Sequence, residues 1–239
     1  MATEHGHSPA EIARRIADGP RASYLRDWVY GAIDGAVTTF TVVAGALGAE
    51  LSARTVLIIG IVNILADGFS MAVGNVSATR TERERGEHLR AVEARHIAEH
   101  PEGEREEVRQ IYRAKGFAGD DLERAVDVVT AEHERWIEAM VREEYGEAGT
   151  HRSATRAAVA TFAAFALAGA VPLAPFVLGI AAPQAWAAVA TAVAFFAIGA
   201  LKSAWSPRPW WRAGLETLAI GAAAAAIAYG AGALIARVV

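Results

Sequence analysis

Two aspartates in this chain of 239 residues, Asp34 and Asp67, each lie inside a long apolar stretch. A carboxylate in membrane hydrocarbon costs a few kcal/mol, so an acid in such a stretch usually faces a pathway or a partner. Asn63, Asp67, Met71 and Asn75 recur every four residues, which places them along one face of a helix. This stripe offers oxygen and thioether ligands, and it predicts a path for a metal cation.

No Lys or Arg lies in the middle of an apolar stretch to neutralise these acids, because Lys202 and Arg237 fall near the ends of theirs. A carboxylate without a cationic partner is protonated, holds a cation, or alternates between the two states. That alternation is the chemistry of a proton-coupled metal carrier. Thr38 lies one turn from Asp34 on the same face and is expected to contribute an oxygen to the path.

A second set of metal-binding side chains lies in a charged segment between two apolar stretches. Glu93 and His96 are three residues apart and share a helical face, as do Glu104 and Glu107. Carboxylates, imidazole and thioether together suit Fe²⁺, Mn²⁺ or Zn²⁺ better than Ca²⁺. The alternative is a set of solvated helix faces with ion pairs such as Arg83–Glu87. The candidate metal ligands of this segment are Glu93, His96, Glu104, Glu107, Met140, Glu143, Glu144 and Glu147.

Five apolar stretches are long enough to cross a bilayer as helices, which takes about 20 residues each. The composition agrees, since 53% of the residues are hydrophobic and the mean hydropathy is +0.23. Pro172 and Pro175 predict a kink or an early end in the third stretch. The predicted spans are Trp28–Leu51, Thr55–Thr79, Ala154–Ile180, Ala185–Ala204 and Gly214–Ala236.

The sequence therefore predicts an all-α polytopic membrane protein with a three-helix insert between spans two and three. Span two is expected to continue without a break to about His100, followed by helices over 102–115 and 120–145. The predicted divisions are an N-terminal tail (1–26), spans one and two (27–79), the metal-binding insert (80–152) and spans three to five (153–239). Segment 8–18 of the tail has the pattern of a short amphipathic helix.

Positive charge predicts the orientation, because cytoplasmic loops carry the excess of Lys and Arg. Basic residues flank the spans on the side of the N-terminus and the insert, whereas only Arg54 and Arg237 lie on the opposite side. We expect a multi-pass protein of the cell (inner) membrane with the tail and insert in the cytoplasm. The tail lacks the apolar core of a signal peptide. Absence of Cys excludes thiolate sites, and the excess of acids in the polar segment argues against nucleic-acid binding.

The span motifs resemble those of the vacuolar iron transporter family of Fe²⁺ and Mn²⁺ carriers. Span one carries Asp34-Gly35-Ala36-Val37-Thr38, and span two carries Ala66-Asp67-Gly68-Phe69-Ser70-Met71-Ala72-Val73-Gly74 followed by a charged run. The segment Val171-Pro172-Leu173-Ala174-Pro175, the five spans and the insert are also similar. The resemblance covers about residues 25–236 and suggests a bacterial-type member.

The resemblance implies a homodimer in the lipid bilayer with a translocation path between its subunits. It implies a proton-driven antiporter that clears Fe²⁺ or Mn²⁺ from the cytosol. We expect the metal to be cargo, with Zn²⁺ or Co²⁺ as the alternatives, and we expect no permanently bound cofactor. The family's span residues correspond to Asp34 and Met71. Its insert ligands correspond to Glu93, Glu104, Glu107, Met140 and Glu144. Asn63 and His96 stand where the family has glutamates, and Asp67 offers a replacement acid one turn after Asn63.

Three other functions remain open from the residues. Glu93-Ala94-Arg95-His96 has the Glu-x-x-His form of di-iron helix bundles, which would make the protein a membrane-anchored ferroxidase. Such a site needs two of these motifs and two further glutamates, whereas the insert has one motif, a number that dimerisation would double. An iron-storage or sensing protein is the related alternative, and a structural scaffold would not need Asp34 and Asp67.

Overall fold

The computed structural model describes residues 6–19, 22–146, 152–205 and 208–238, and its regular elements are helical. They comprise nine α-helices within these residues, with a 3₁₀ turn over Ser203–Trp205 after the eighth. The helices are α1 (Pro9–Asp18), α2 (Leu25–Gly48), α3 (Ala53–Glu99), α4 (Pro101–Ala114), α5 (Gly119–Thr130), α6 (His133–Glu143), α7 (Ala154–Val177), α8 (Pro183–Lys202) and α9 (Trp210–Ile235). The predicted all-α class is confirmed.

Five of these helices are long and apolar enough to cross a membrane: α2, α3, α7, α8 and α9. They coincide with the five predicted spans apart from shifts at their ends. Helix α7 continues through Pro172 and Pro175 and ends at Val177, three residues before the predicted end of span three. A membrane helix tolerates such prolines when neighbouring groups satisfy the freed carbonyls.

Helix α3 extends over 47 residues without a break, as the absence of a Gly or Pro signal after span two predicts. His100 then ends the helical path, and Pro101 takes the first position of α4, where its missing N–H costs nothing. Glu104 in the first turn of α4 thereby follows His96 by eight residues and Glu93 by eleven.

The predicted helix over 120–145 is wrong, because the structure divides it into α5 and α6. Glu132 has extended backbone angles and separates the two segments. The break lets the chain turn, so that both segments pack against one core. The insert thus has three helices after α3, where two were predicted. The ion pair Arg83–Glu87 is confirmed, with 3.4 Å between Arg83 Nε and Glu87 Oε1.

The chain forms two compact units, and the first contains residues 6–19, 22 and 78–146. The core of this unit is an apolar cluster contributed by the end of α3 and by α4, α5 and α6. Its buried members are Ile97, Val108, Leu122, Val126, Val129, Trp136, Ile137, Met140 and Val141. Helix α1 confirms the expected short amphipathic helix. Ser8 and Glu11 form a reciprocal cap at its start.

The second unit contains the described residues of 23–77 and 152–238. Helix α2 lies at its centre and packs against α7, α8 and α9. Small residues permit this approach: a Cβ on Gly35 would collide with the backbone of Phe165 in α7. In the same way, Gly232 of α9 lies against the backbone of Gly45. Such contacts between small residues are the usual basis of helix packing in membranes.

Candidate metal sites

The end of α3 and the first turn of α4 bring Glu93, His96 and Glu104 together. His96 Nδ1 lies 3.8 Å from Glu93 Oε1 and 3.6 Å from Glu104 Oε1. The spacing of three residues on α3 places Glu93 and His96 on one face, and the break at His100 and Pro101 turns Glu104 toward them. One ligand atom from each residue lies within 4.8 Å of the others.

Both carboxylates of this group are buried and incompletely satisfied. Glu93 has no exposed surface, and Glu104 is 6% exposed. Within the described residues, the Oε2 atoms of Glu93 and Glu104 have no hydrogen-bond partner. Tyr145 donates from its hydroxyl to Glu93 Oε1 at 3.0 Å. Because a buried charged oxygen without a donor is costly, the two free oxygens indicate a place for a cation.

Two further acids, Glu107 and Glu144, interact electrostatically with this group. Burial, and then the negative charges of Glu107 and Glu93, raise the pKa of Glu104 to about 7, while His96 acts in the opposite direction. Burial, followed by the charges of Glu93 and Glu107, also raises the pKa of Glu144. Burial and the hydrogen bond to Glu93 raise the pKa of the Tyr145 hydroxyl.

We call Glu93, His96, Glu104, Glu107 and Glu144 the insert cluster. Glu107 and Glu144 are exposed at its edge, whereas Glu93 and Glu104 are buried within it. The neighbouring negative charges help to raise the pKa of Glu104 and of Glu144, because they oppose ionisation of these two groups. A divalent cation would relieve this repulsion, which makes the cluster a candidate metal site.

Two other predicted insert ligands, Met140 and Glu143, have partners of their own. Met140 is fully buried in the apolar core of the insert. The carboxylate of Glu143 pairs with Lys115, with 2.6 Å between Oε1 and Nζ. Glu147 lies outside the described residues.

The donor set of two carboxylates and one imidazole suits first-row divalent metals such as Mn²⁺, Fe²⁺, Co²⁺ and Zn²⁺. The three central residues can surround one ion. A second group of at least three clustered His, Asp or Glu ligands does not occur among the described residues.

In the membrane helices, Asp34 on α2 and Asp67 on α3 are close enough for their charges to interact. Asp34 is half-buried, whereas Asp67 is exposed on the surface of the single chain. Thr38 donates its hydroxyl to the backbone carbonyl of Asp34 at 2.8 Å, so this hydrogen is engaged with its own helix. The oxygen of Thr38 still has a free lone pair.

Two other members of the stripe, Asn63 and Met71, are partly buried on α3. The Asn63 amide nitrogen is buried and has no hydrogen-bond partner among the described residues. Asn75 differs from both, because its amide nitrogen donates to Asp27 Oδ1 at 3.0 Å and to Thr161 Oγ1 at 2.6 Å. Asn75 therefore joins α3 to α2 and α7.

Sequence reasoning missed the acid and the base at this junction. Asp27 is 7% exposed and forms an ion pair with Arg152. A signal for Asp27 exists, since it precedes Asp34 by seven residues and thus lies two turns away on the same face of α2. In the sequence Arg152 is recognisable only as one of the positive charges that flank span three, and its role as a buried partner has no sequence signal. Tyr145 was missed for the same reason.

Comparison with known proteins finds relatives that are named vacuolar iron transporters. The chain is 31% identical over 230 residues to "Vacuolar iron transporter" of Toxoplasma gondii (strain ATCC 50861 / VEG), covering 91% of this chain and 76% of that protein. It is 31% identical over 211 residues to "Vacuolar iron transporter 1" of Arabidopsis thaliana, covering 86% and 83%. For "Vacuolar iron transporter 1" of Eucalyptus grandis the identity is 28% over 238 residues, covering 96% of each chain.

These relatives come from Toxoplasma and plants, so they do not bear out the expectation of a bacterial-type member. The model of the VIT family matches residues 25–233, from the start of α2 into the last helix. This protein belongs to the VIT family.

Proposed function

We infer that this protein is a membrane transporter that moves divalent metal, Fe²⁺ or Mn²⁺, out of the cytosol in exchange for protons. The observation that carries this proposal is the presence of two acids, Asp34 on α2 and Asp67 on α3, within membrane-spanning helices. No Lys or Arg lies in the middle of a span to neutralise them. Intramembrane acids of this kind are characteristic of ion pathways and proton relays.

In the proposed cycle, the insert cluster collects the hydrated metal ion. The ion then passes to Asp34, Asp67 and Met71, with Asn63, Asn75 and Thr38 as secondary ligands. Protonation of the two aspartates from the far side releases the ion, because a neutral carboxylic acid binds metal weakly. The returning carrier then gives up these protons on the cytosolic side.

Iron as cargo is supported by the names of the relatives, which are called vacuolar iron transporters. The donors of the insert cluster also suit Mn²⁺, Zn²⁺ and Co²⁺. In this proposal the metal is cargo, and the transporter holds no permanent cofactor.

Assembly as a homodimer is supported by the surface of α3. Asp67 is exposed in the single chain, and neighbouring Leu65 and Phe69 are 58% and 66% exposed. A carboxylate facing lipid is costly, whereas a second copy of the chain could cover this surface and enclose Asp67 in a shared path. The proposal therefore places the translocation path between two subunits.

We further propose that the N-terminal tail and the insert lie in the cytoplasm and that the C-terminus lies on the opposite side. The distribution of Lys and Arg supports this orientation. The cell (inner) membrane is the proposed location, although the relatives are named for the vacuole.

The alternative of a di-iron ferroxidase finds less support in the geometry. A di-iron bundle uses two Glu-x-x-His motifs and two further glutamates. The part of the chain that the structure describes contains one such ligand group, of a size for one ion. Collection of cargo explains this single group better than two-metal oxygen chemistry, and the same reasoning applies to an iron store.

Metal flux into proteoliposomes tests the proposal. The purified full chain is reconstituted, and uptake of Fe²⁺, Mn²⁺, Zn²⁺ and Co²⁺ is followed with and without a pH gradient. We expect uptake of Fe²⁺ or Mn²⁺ that is accelerated by the gradient and accompanied by proton movement in the opposite direction. Uptake equal to that of protein-free liposomes would refute transport. Uptake independent of the gradient would refute proton exchange alone.

A further inference from the structure

We propose that Asp27 is an additional cation-binding station of the transport path and that Arg152 is a tethered cation that occupies this station until metal displaces it. This inference rests on the proposed transport function and adds a site to it. Three features of the molecule support it: the buried ion pair, the register of Asp27 with Asp34, and the surroundings of the guanidinium group.

The register places Asp27 in line with Asp34. On α2, Asp27 precedes Asp34 by seven residues, which is about two turns along the same face. On α3, Asn75 follows Asp67 by eight residues, which is about 80° past two full turns. The contact between Asp27 Oδ1 and Asn75 Nδ2, at 3.0 Å, therefore joins α2 and α3 about two turns from Asp34 and Asp67.

The cation-binding group at this position is the carboxylate of Asp27, which is 7% exposed. The amide nitrogen of Asn75 donates to this carboxylate at 3.0 Å and to the Thr161 hydroxyl oxygen at 2.6 Å. A divalent ion at this position would take the carboxylate as its charged ligand, and the Asn75 amide would have to turn its oxygen toward the ion. In the present state the cation at this carboxylate is the guanidinium of Arg152.

Arg152 is held in a way that permits release. Its side chain is 18% exposed, and its Nε atom is buried without a hydrogen-bond partner among the described residues. The ring centroid of Tyr24 lies 5.7 Å from Cζ, so the guanidinium also rests against an aromatic face. A guanidinium freed from Asp27 can keep this cation–π contact.

Electrostatics favours the exchange of the Arg152 guanidinium for a metal ion at Asp27. A buried carboxylate left alone is strongly unfavourable, and the tethered guanidinium keeps the empty station paired. An arriving divalent ion carries more charge than the guanidinium and can take its place. Arg152 thus competes with the cargo. The apparent association constant of the station for metal equals the intrinsic constant multiplied by the fraction of time that Asp27 is free.

Equilibrium binding of Co²⁺ to the full chain in detergent tests the proposal. All variants carry Glu93→Gln and Glu104→Gln, which remove the buried carboxylates of the insert cluster. They also carry Asp34→Asn and Asp67→Asn, which remove the two central acids, so that the remaining Co²⁺ binding reports on Asp27. Adding Arg152→Gln should tighten Co²⁺ binding about tenfold, the factor for a station that is free roughly a tenth of the time. Arg156→Gln is the matched control, because it removes the same charge from an exposed position one turn away and should change binding little.

The double change Asp27→Asn with Arg152→Gln identifies the ligand. It removes both charges of the pair, so the fold should keep its thermal stability, and the tightening should disappear. Tightening that persists without the Asp27 carboxylate would overturn the proposal, as would unchanged affinity in Arg152→Gln. If Arg152→Gln does not fold, Arg152→Lys takes its place, with a smaller tightening expected and wild-type affinity as the contrary result.

This assay reports binding and needs no flux. A protein that fails to transport any metal would refute the proposed function, whereas the affinity differences among these variants would still decide the role of Asp27 and Arg152.

Discussion

His96 Nδ1 lies 3.6 Å from Glu104 Oε1, so an imidazole from α3 faces a buried carboxylate from α4. The same nitrogen lies 3.8 Å from Glu93 Oε1. The imidazole thus stands between two carboxylates at the centre of the insert cluster. Its nitrogen is a softer donor than a carboxylate oxygen, so among these three side chains we expect His96 to have the largest effect on the choice of metal.

The change His96→Glu should shift the metal preference of the cluster toward Mn²⁺. Replacing imidazole nitrogen by carboxylate oxygen favours hard ions and disfavours Co²⁺ and Zn²⁺. We expect the ratio of Co²⁺ to Mn²⁺ affinity to fall at least about fivefold, a change of about 1 kcal/mol. Competition titrations on the full chain measure this ratio. His88→Glu, an exposed histidine on the same helix, is the control, and an equal shift in both variants would contradict the assignment.

Metal binding to the insert cluster should release a proton below about pH 7. The pKa of Glu104 is raised to about 7, chiefly by burial, whereas metal requires the ionised carboxylate. Affinity should therefore rise with pH up to about 7 and level off above it. Calorimetry in buffers of different ionisation enthalpy counts the protons released at pH 6 and at pH 8. In Glu104→Gln the number of protons released at pH 6 should come closer to the number released at pH 8. A difference as large as in the unmodified protein would assign the proton to another group.

The raised pKa of Glu104 also predicts how the stability of the metal-free protein depends on pH. Because the pKa of Glu104 is higher in the folded state than its ordinary value of 4.5, the folded state binds more protons between about pH 4.5 and 7. Stability therefore falls as pH rises through this window. Thermal unfolding of the metal-free chain should show a smaller decrease in Glu104→Gln than in the unmodified protein. Excess metal should remove the decrease, since the bound ion compensates the charge.

Much of the fold could be predicted because apolar length alone identifies a membrane helix. The spans of α2 and α3 follow from the runs around Asp34 and Asp67, and the uninterrupted α3 follows from the absence of Gly-Pro signals before Pro101. The break at Glu132 could not be predicted. It depends on how α5 and α6 pack against a shared core, and no turn residue marks it.

The candidate site was predictable to a similar degree. The spacing of Glu93 and His96 and the proximity of Glu104 after a helix break are local features. The burial of Asp27 against Arg152 is a contact between residues 125 positions apart, on α2 and just before α7. Such a pairing depends on tertiary packing, so Arg152 could be recognised only as a positive charge beside a span. The pairing of Glu143 with Lys115 is likewise tertiary.

Removal of either central carboxylate should impair transport. Asp34→Asn and Asp67→Asn preserve shape but can neither ionise nor exchange a proton, so we expect metal uptake to fall at least about tenfold, equivalent to about 1.4 kcal/mol. Proteoliposome flux measures the effect. Glu216→Gln is the control, because that carboxylate is exposed and pairs with Arg208 at 3.1 Å. Uptake at the unmodified rate in both aspartate variants would exclude these residues from the path.

Close packing of α2 against α7 should depend on Gly35, the neighbour of Asp34. A Cβ at Gly35 would collide with the backbone of Phe165, which cannot move as a side chain could. Gly35→Ala should therefore destabilise the protein by roughly 1–3 kcal/mol, the usual cost of overpacking. Gly230→Ala in α9 is the matched control, since no atom lies within 4 Å of the added methyl. It should be neutral or slightly stabilising, because alanine favours helix.

Thermal unfolding in detergent compares the two variants, and equal stability would mean that α2 and α7 do not approach as closely as the structure has them. Because Asp34 follows the position of α2, Gly35→Ala should also reduce metal uptake more than Gly230→Ala does.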